Sequence, residues 1–210
     1  MSIAVDQWPP EGCPPLAWPH LPDEAARIEW YGAVIQAYQA LWEGHVHQPQ
    51  ISPVDDVALD KLEQHLGCRL PSALRQYHSV FGALSLREKL CSVKESSCQI
   101  QPLLDAFPGI VDLVEGKDDE DQVLALADML VAFGDYLGNG NMFCFHKESG
   151  EVYYFDHDDG PPLTRFFCRV EQYLDALMIL NLAEVHDADD EGEALLVQRF
   201  GKPLVRQWMY

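Results

Sequence analysis

The feature that most constrains the fold is the stretch Ile51–Gly82, whose capping residues, prolines and glycines predict two short helices in close succession. Ser52 is a natural N-cap, Pro53 suits the first helical position, and Asp55 completes a Ser-x-x-Asp variant of the capping box. Apolar residues then recur at helical spacing, namely Ala58, Leu59, Leu62 and Leu66. Gly67 is typical of a left-handed helix end, so we expect the first helix to stop there.

A Leu-Pro step restarts the chain as a second helix at Leu70-Pro71. One face of this helix is apolar and aromatic, and it carries Leu74, Tyr77, His78 and Phe81. Gly82 lies just beyond the face and is expected to end the helix. The whole stretch therefore reads as a capped acidic helix, a Gly-x-x-Leu-Pro linker and an aromatic-ended helix that closes in glycine.

A second patterned segment lies downstream and predicts a buried strand followed by a hairpin. Val131–Phe133 is a short apolar run, and Gly138–Gly140 has the composition of a turn. Asn141–His146 and Glu151–Asp156 alternate and are rich in aromatic and β-branched residues, as half-buried strands are. Lys147–Gly150 supplies the connection, so the two strands are predicted to pair.

An amphipathic helix follows the hairpin, marked by Val170, Leu174, Leu177 and Met178. The order of the two patterned segments resembles the SUKH superfamily, which comprises cell-wall-assembly regulators and bacterial toxin-immunity proteins. The resemblance implies an α+β fold: a single SUKH-like domain in which helices flank an antiparallel sheet, with an N-terminal helical extension. It also implies that Gly67, Leu70, Pro71, Phe81 and Gly82 determine the fold rather than bind a partner.

We predict three regions along the chain. Residues 1–50 form a Pro/Trp-rich arm and a helix over Asp23–Glu43, residues 51–182 form the SUKH-like domain with an insertion at about 83–130, and residues 183–210 form an acidic loop and C-terminal segment. The helix carries one wide apolar stripe, made of Ile28, Tyr31, Ile35, Tyr38 and Trp42. This stripe suits packing against the domain better than a dimer seam, so both monomer and homodimer remain open.

The formal net charge of −20 over 210 residues is the strongest chemical statement of the composition. Such a field repels nucleic acid and acidic membranes and speeds encounter with a basic partner. No run approaches the roughly 20 apolar residues that cross a bilayer. The N-terminus has neither a basic start nor an apolar core, so we expect a soluble, cytoplasmic protein.

The sequence contains candidates for catalysis but no constellation of catalytic residues. Its six cysteines include no C-x-x-C pair, so thiols are expected, and we expect no metal and no cofactor. Asp156–Asp159 offers ligand chemistry, yet aspartates of this kind usually form turns. His186–Glu193 lacks the ligand spacing of a calcium loop. We therefore expect a protein that is not an enzyme.

The leading hypothesis is an immunity protein that binds a cognate toxin, such as a nuclease or another basic effector domain, and occludes its active site. The predicted partner-binding surface consists of acidic loops and one turn, with Asp118, Asp119, Glu120, Asp121, Tyr136, Asn139, Asp158, Asp159, Asp189, Asp190 and Glu191. Two alternatives remain open: a regulatory or scaffold module of the same fold, and a metal- or small-molecule-dependent enzyme that uses the Asp156–Asp159 loop.

Overall fold

The computed structural model describes residues 9–94, 98–135, 140–158 and 160–209. The chain divides into two compact units, with one boundary after Gln50 and the other inside the helix Val170–Val185. We call Ile51–Tyr173 the sheet unit, and the described part of Met1–Gln50 together with Leu174–Tyr210 the helical unit. The predicted α+β class is confirmed.

The described strands are β1 (Lys89–Leu90), β2 (Gln101–Pro102), β3 (Leu130–Asp135), β4 (Met142–His146), β5 (Val152–Phe155) and β6 (Leu163–Phe167). The described helices are α1 (Glu24–Leu41), α2 (Asp56–Leu66), α3 (Ser72–Val80), α4 (Leu103–Ala106), α5 (Ile110–Val114), α6 (Glu120–Asp128), α7 (Val170–Val185), α8 (Asp189–Phe200) and α9 (Lys202–Met209).

The two helices predicted within Ile51–Gly82 are confirmed as α2 and α3, but the predicted N-cap was wrong. Asp55 caps α2, because its side chain accepts a hydrogen bond of 2.8 Å from the backbone N–H of Ala58. Ser52 lies before the helix, where its N–H donates to the carbonyl of Phe81 at 3.0 Å. The residue that follows α3 therefore holds the chain segment before α2. This long-range contact cannot be predicted from the local capping residues, which is why the N-cap was misassigned.

The linker between α2 and α3 is bent back by a buried carboxylate. Gly67 has a φ of +68°, the left-handed conformation that its predicted role requires. Glu63 accepts hydrogen bonds from the backbone N–H of Leu70 at 3.1 Å and from the guanidinium of Arg69 at 2.7 Å. The Gly-x-x-Leu-Pro sequence thus has a physical role, since it returns the chain to α2 before α3 starts.

The sheet is antiparallel, with strand order β1-β3-β4-β5-β6 and with β2 also paired to β3. The predicted hairpin is confirmed as β4 and β5, in which Cys144 lies opposite Tyr153. The sequence reasoning missed β6, which lies within the segment after Asp156 and pairs with β5. It also missed β1 and β2, because strands of two residues carry no periodicity that a sequence can display.

The region between α3 and β3 is packed against one face of the sheet. Buried residues of α4, α5 and α6 meet buried residues of β3, β4 and β5 in one cluster, which includes Leu103, Ile110, Ala127, Ala132, Cys144 and Phe155. The segment that looked like an insertion therefore contributes both strands and core helices to the sheet unit.

A second aromatic layer centres on Tyr173, the last residue of the sheet unit. Its ring lies 4.5 Å from that of Phe143 and 5.2 Å from that of Phe133, measured between centroids. Its hydroxyl donates to the buried carboxylate of Glu88 at 2.8 Å. Gly134 is required beside it, because a Cβ there would lie 2.9 Å from the Tyr173 hydroxyl oxygen.

The helical unit is built around α1, and the predicted apolar stripe is buried at Tyr31, Ile35 and Tyr38. The carboxylate of Asp175 accepts hydrogen bonds from the Tyr31 hydroxyl at 2.7 Å and from Arg27 at 3.0 Å. Both partners come from α1, so this buried carboxylate ties α1 to α7 within the unit.

The two ends of the helical unit also make specific contacts. In the N-terminal arm, the Trp18 indole N–H donates to the carbonyl of Leu195 at 3.1 Å, and Arg199 stacks over its ring. The C-terminal segment forms α9, and Val205 and Trp208 are fully buried there. None of the described helices is long and apolar enough to cross a membrane.

Candidate partner-binding surface

The acidic residues before α6 form an exposed segment of the sheet unit. Asp118 and Asp119 lie in the turn that precedes the helix, and Asp121 lies in its first turn, all three exposed. Glu120 differs, because its carboxylate accepts a hydrogen bond of 2.8 Å from the backbone N–H of Gly116. Asp118, Asp119 and Asp121 therefore offer their carboxylates to solvent, while Glu120 holds the turn that presents them.

This charge is reinforced by the helix that comes just before. Asp112 and Glu115 are exposed and stand three residues apart at the end of α5. Lys117 is the one basic residue within the sequence from Asp112 to Asp121. Six carboxylates thus share a ten-residue stretch with a single lysine, which concentrates negative potential at one place on the sheet unit.

The connection between β5 and β6 is fixed by a side-chain clamp. The Asn141 side-chain oxygen accepts from the His157 backbone N–H at 3.0 Å and lies 2.7 Å from Nδ1 of the same histidine. The Phe107 ring packs against the His157 ring, with 5.4 Å between their centroids. Phe107 directly follows α4 and lies three residues before α5, so the chain that leads to the α6 carboxylates passes beside this connection.

Local hydrogen bonds account for the aspartates of this connection. Oδ1 of Asp156 accepts from the backbone N–H of Asp158 at 2.9 Å, which is an Asx turn. Asp158 is exposed, and its carboxylate lies 3.4 Å from Nε2 of His157. Asp156–Asp158, the described part of the predicted loop, thus form a turn, as their composition indicated. Among the described residues, no group of three or more His, Cys, Asp or Glu side chains could hold a metal ion.

The third predicted acidic segment belongs to the helical unit. Asp189, Asp190 and Glu191 form the first turn of α8 and are exposed. The helix starts at Asp189, so these three residues are helical, whereas the sequence predicted an acidic loop here. Gly192 follows directly, and a Cβ there would overlap the methyl group of Ala183, so α8 lies very close to α7 at this point.

The predicted surface is thus distributed over both units. Asp118, Asp119, Glu120, Asp121 and Asp158 belong to the sheet unit, and Asp189, Asp190 and Glu191 belong to the helical unit. The remaining predicted residues, Tyr136, Asn139 and Asp159, lie outside the described residues.

Sequence reasoning missed several residues that shape this surface. Asp112 and Glu115 could have been found from charge density alone, since both precede Asp118 within one acidic stretch. His157 falls within the Asp156–Asp159 segment, but no local signal marks its contacts with Asn141 and Phe107, because the three residues lie far apart in the chain and meet only in the folded sheet unit.

Comparison with known families identifies the domain to which most of this surface belongs. The profile of the SMI1 / KNR4 family (SUKH-1) matches residues 53–176, which is more than half of the chain and runs from just before α2 into α7. The chain belongs to this family. The SUKH resemblance read from the helix pair and the hairpin is thereby confirmed. No curated protein and no solved structure matches the chain significantly.

The acidic segments differ in whether they lie inside the residues that match the family. The α6 segment and Asp158 lie inside the matched residues, whereas Asp189–Glu191 lie outside them. SUKH domains are generally non-enzymatic modules of toxin immunity or regulation.

Proposed function

We propose that this protein is an immunity protein, which binds a cognate bacterial toxin and neutralises it by occluding the toxin's active site. Membership of the SMI1 / KNR4 family over residues 53–176 is the observation that carries the proposal. The net charge of −20 supports it, because many such toxins are nucleases whose grooves are basic.

The exposed carboxylates supply a mechanism for recognition. A nuclease groove is built to bind phosphates, so it presents lysines and arginines to the surrounding water. The Asp118–Asp121 segment, reinforced by Asp112 and Glu115, would face such a groove and compete with the nucleic acid for the same cations. Oriented charge of this kind raises the association rate by roughly 10- to 1,000-fold at low salt.

Affinity has a different origin from association rate in this proposal. Hot spots of protein interfaces are mostly Trp, Tyr and Arg side chains in desolvated pockets. Tyr136 belongs to the predicted partner-binding surface, and we propose it as one such anchor. Asp158 and the Asp189–Glu191 segment are proposed as further contacts that orient the toxin.

The proposal is tested by capture of the toxin and by rescue of its toxicity. The tagged full-length protein is used as bait in lysate of the native organism at low and high salt, and captured proteins are identified by mass. We expect a stoichiometric partner encoded beside this gene that is toxic when expressed alone and harmless when co-expressed. A captured partner whose toxicity is not relieved by co-expression would overturn the immunity function.

A regulatory module of the same family is the second candidate, since the family includes regulators as well as immunity proteins. It predicts a different result in the same experiment: a partner that is harmless when expressed alone. The rescue assay therefore distinguishes the two functions even where both give a captured protein.

A further inference from the structure

Two cysteines at the edge of the sheet unit are in direct contact. The Sγ atoms of Cys91 and Cys98 lie 2.9 Å apart, and both residues are thiols. A disulfide bond is about 2.05 Å long, so bond formation needs an approach of about 0.9 Å. Six residues separate the two cysteines in the sequence, and no sequence motif marks them as a pair.

Backbone hydrogen bonds hold both cysteines where they are. The N–H of Cys91 donates to the carbonyl of Phe133 on β3 at 2.9 Å. Ser92 donates to the carbonyl of Cys98 and accepts from the N–H of Ile100, each at 2.9 Å. The contact between the sulfur atoms therefore follows from main-chain pairing on both sides and does not depend on a chance rotamer.

The two sulfurs differ in access to solvent. Cys91 is buried, with 4% of its surface exposed, whereas Cys98 is partly exposed. A cavity of about 70 Å³ lies beside both, lined also by Gln101, Ala132 and Met142. It is too small for an organic disulfide. A disulfide reagent from solvent therefore meets Cys98 first, because Cys98 is the more exposed of the two sulfurs.

We propose that Cys91 and Cys98 form a reversible disulfide by exchange with low-molecular-weight disulfides. In the first step the Cys98 thiolate attacks one sulfur of the reagent RSSR, which forms a Cys98–SR bond and releases RS⁻ to be protonated. The Cys91 sulfur, after losing its proton, then attacks Sγ of Cys98. The Cys91–Cys98 bond forms, the Cys98–SR bond breaks, and a second RSH leaves, so two electrons pass from the protein to the reagent.

The electrostatics of the pair suit these two roles. The hydrogen bond from Cys91 lowers the pKa of Cys98, and Lys89 lowers it further, against the opposing effects of burial and Asp135. The pKa of Cys91 is raised, first by its hydrogen bond to Cys98 and then by burial, with Asp135 and Cys144 adding to the effect. Either thiol can donate when both are protonated, but Cys91 is the donor once Cys98 is a thiolate.

The bond would join two weak parts of the sheet. Cys91 directly follows β1, and Cys98 lies three residues before β2, and each of these strands has only two residues paired to β3. A cross-link would hold both strands on β3. The expected consequence is slower hydrogen exchange of the Cys91 and Ile100 amides in the oxidised protein.

The experiment is exposure of the full-length protein to oxidised glutathione, followed by alkylation and peptide mapping. We expect a Cys91–Cys98 cross-linked peptide that dithiothreitol reverses. The exposed Cys168 serves as an internal control, since it should carry only a glutathione adduct, and the fully buried Cys144 should stay reduced. A stable glutathione adduct on Cys98 with Cys91 still open to alkylation would overturn the proposal.

Single variants separate the two roles, and their mapping does not depend on any toxin. Cys91→Ser should trap glutathione on Cys98, because the second attack is lost. Cys98→Ser should leave Cys91 reduced, because the entry point is lost. Equal modification of the remaining cysteine in both variants would show that the pair has no order of reaction, contrary to the proposal.

Discussion

Two acidic helix starts in this protein have similar local chemistry but belong to different units. Asp118–Asp121 lead into α6 of the sheet unit, and Asp189–Glu191 begin α8 of the helical unit. Both place carboxylates at the positive end of a helix dipole, so local stabilisation accounts for either equally well. Only the α6 segment lies inside the family match and is extended by further exposed carboxylates. Acidic residues at a helix start therefore cannot identify a binding surface by themselves. The neighbouring exposed carboxylates and the position within the family domain distinguish the two segments.

The largest expected effect concerns that frame. Gly82 has a φ of +74°, and a Cβ there would overlap the carbonyl oxygen of Ser52. Gly82→Ala should lower the free energy of unfolding by about 4 kcal/mol, because backbone strain adds to a clash with main chain that cannot rotate away. Denaturant unfolding followed by circular dichroism measures the change.

Gly67→Ala is the matched control for this variant. Gly67 has a similar φ of +68°, but a Cβ there would meet no atom within 4 Å. Its loss should therefore be about 1 kcal/mol, from backbone strain alone. Equal losses in the two variants would show that the contact between Gly82 and Ser52 does not hold the start of the sheet unit.

The corresponding test in the helical unit is Asp175→Ala. The change leaves Arg27 and the Tyr31 hydroxyl without this buried acceptor, so we expect a loss of about 3 kcal/mol in unfolding free energy. Asp175→Asn keeps an acceptor for Tyr31 and should lose less. If the two variants were equally unstable, the charge on Asp175 rather than its hydrogen bonds would tie α1 to α7.

A pH-dependent effect is expected in the sheet unit. Burial lowers the pKa of His78 to about 4, from an ordinary value of 6.5, and neither ring nitrogen has a hydrogen-bond partner among the described residues. Between pH 6.5 and 4, His78 is therefore protonated in the unfolded chain but stays neutral in the folded chain. Above pH 6.5 the titration of His78 does not affect the free energy of unfolding. As the pH drops from 6.5 to 4, it lowers that free energy by up to about 3 kcal/mol.

His78→Phe should remove this part of the pH dependence, because the ring stays and the titration is lost. Unfolding free energies at several values between pH 4 and 7 measure it, with exposed His65→Gln on α2 as the matched control. A His78→Phe profile as steep as that of the parent protein would assign the acid sensitivity to the carboxylates instead.

The smallest effect bears directly on the two acidic starts. Glu120→Ala removes the hydrogen bond to Gly116 and should cost about 1 kcal/mol of stability. Glu191→Ala on α8 removes a charge at the helix start and should cost about 0.5 kcal/mol. Identical thermal shifts would mean that the turn before α6 does not depend on Glu120.

The sequence predicted the parts of the fold that are specified locally. The pair α2 and α3, the β4–β5 hairpin and the start of α7 each carry their own caps, turns or periodicity. Ser52 was misassigned because its N–H bonds to Phe81, which lies 29 residues later in the chain. Strands β1 and β2 are too short to show a pattern, and their pairing with β3 is a property of the folded sheet.

The candidate surface was predictable in its charges but not in its geometry. The runs at Asp118–Asp121 and Asp189–Glu191 can be read directly from the sequence, and all of their residues except Glu120 are exposed. The different roles of the residues within the first run cannot be predicted from the sequence. The Glu120 carboxylate accepts a hydrogen bond from Gly116, while the neighbouring carboxylates face solvent. The clamp of Asn141, His157 and Phe107 is equally hidden, because it joins three distant segments.

The central claim is that the α6 segment steers a basic toxin to the sheet unit. The most direct measurement is the association rate of the purified cognate toxin, at low and high salt, with Asp118→Lys/Asp119→Lys/Asp121→Lys and with the matched Asp189→Lys/Asp190→Lys/Glu191→Lys variant. We predict that the α6 variant associates at least about tenfold more slowly at low salt, with a flattened salt dependence, while the α8 variant changes less. An unchanged rate for the α6 variant, or equal slowing of both, would contradict a steering role for that segment.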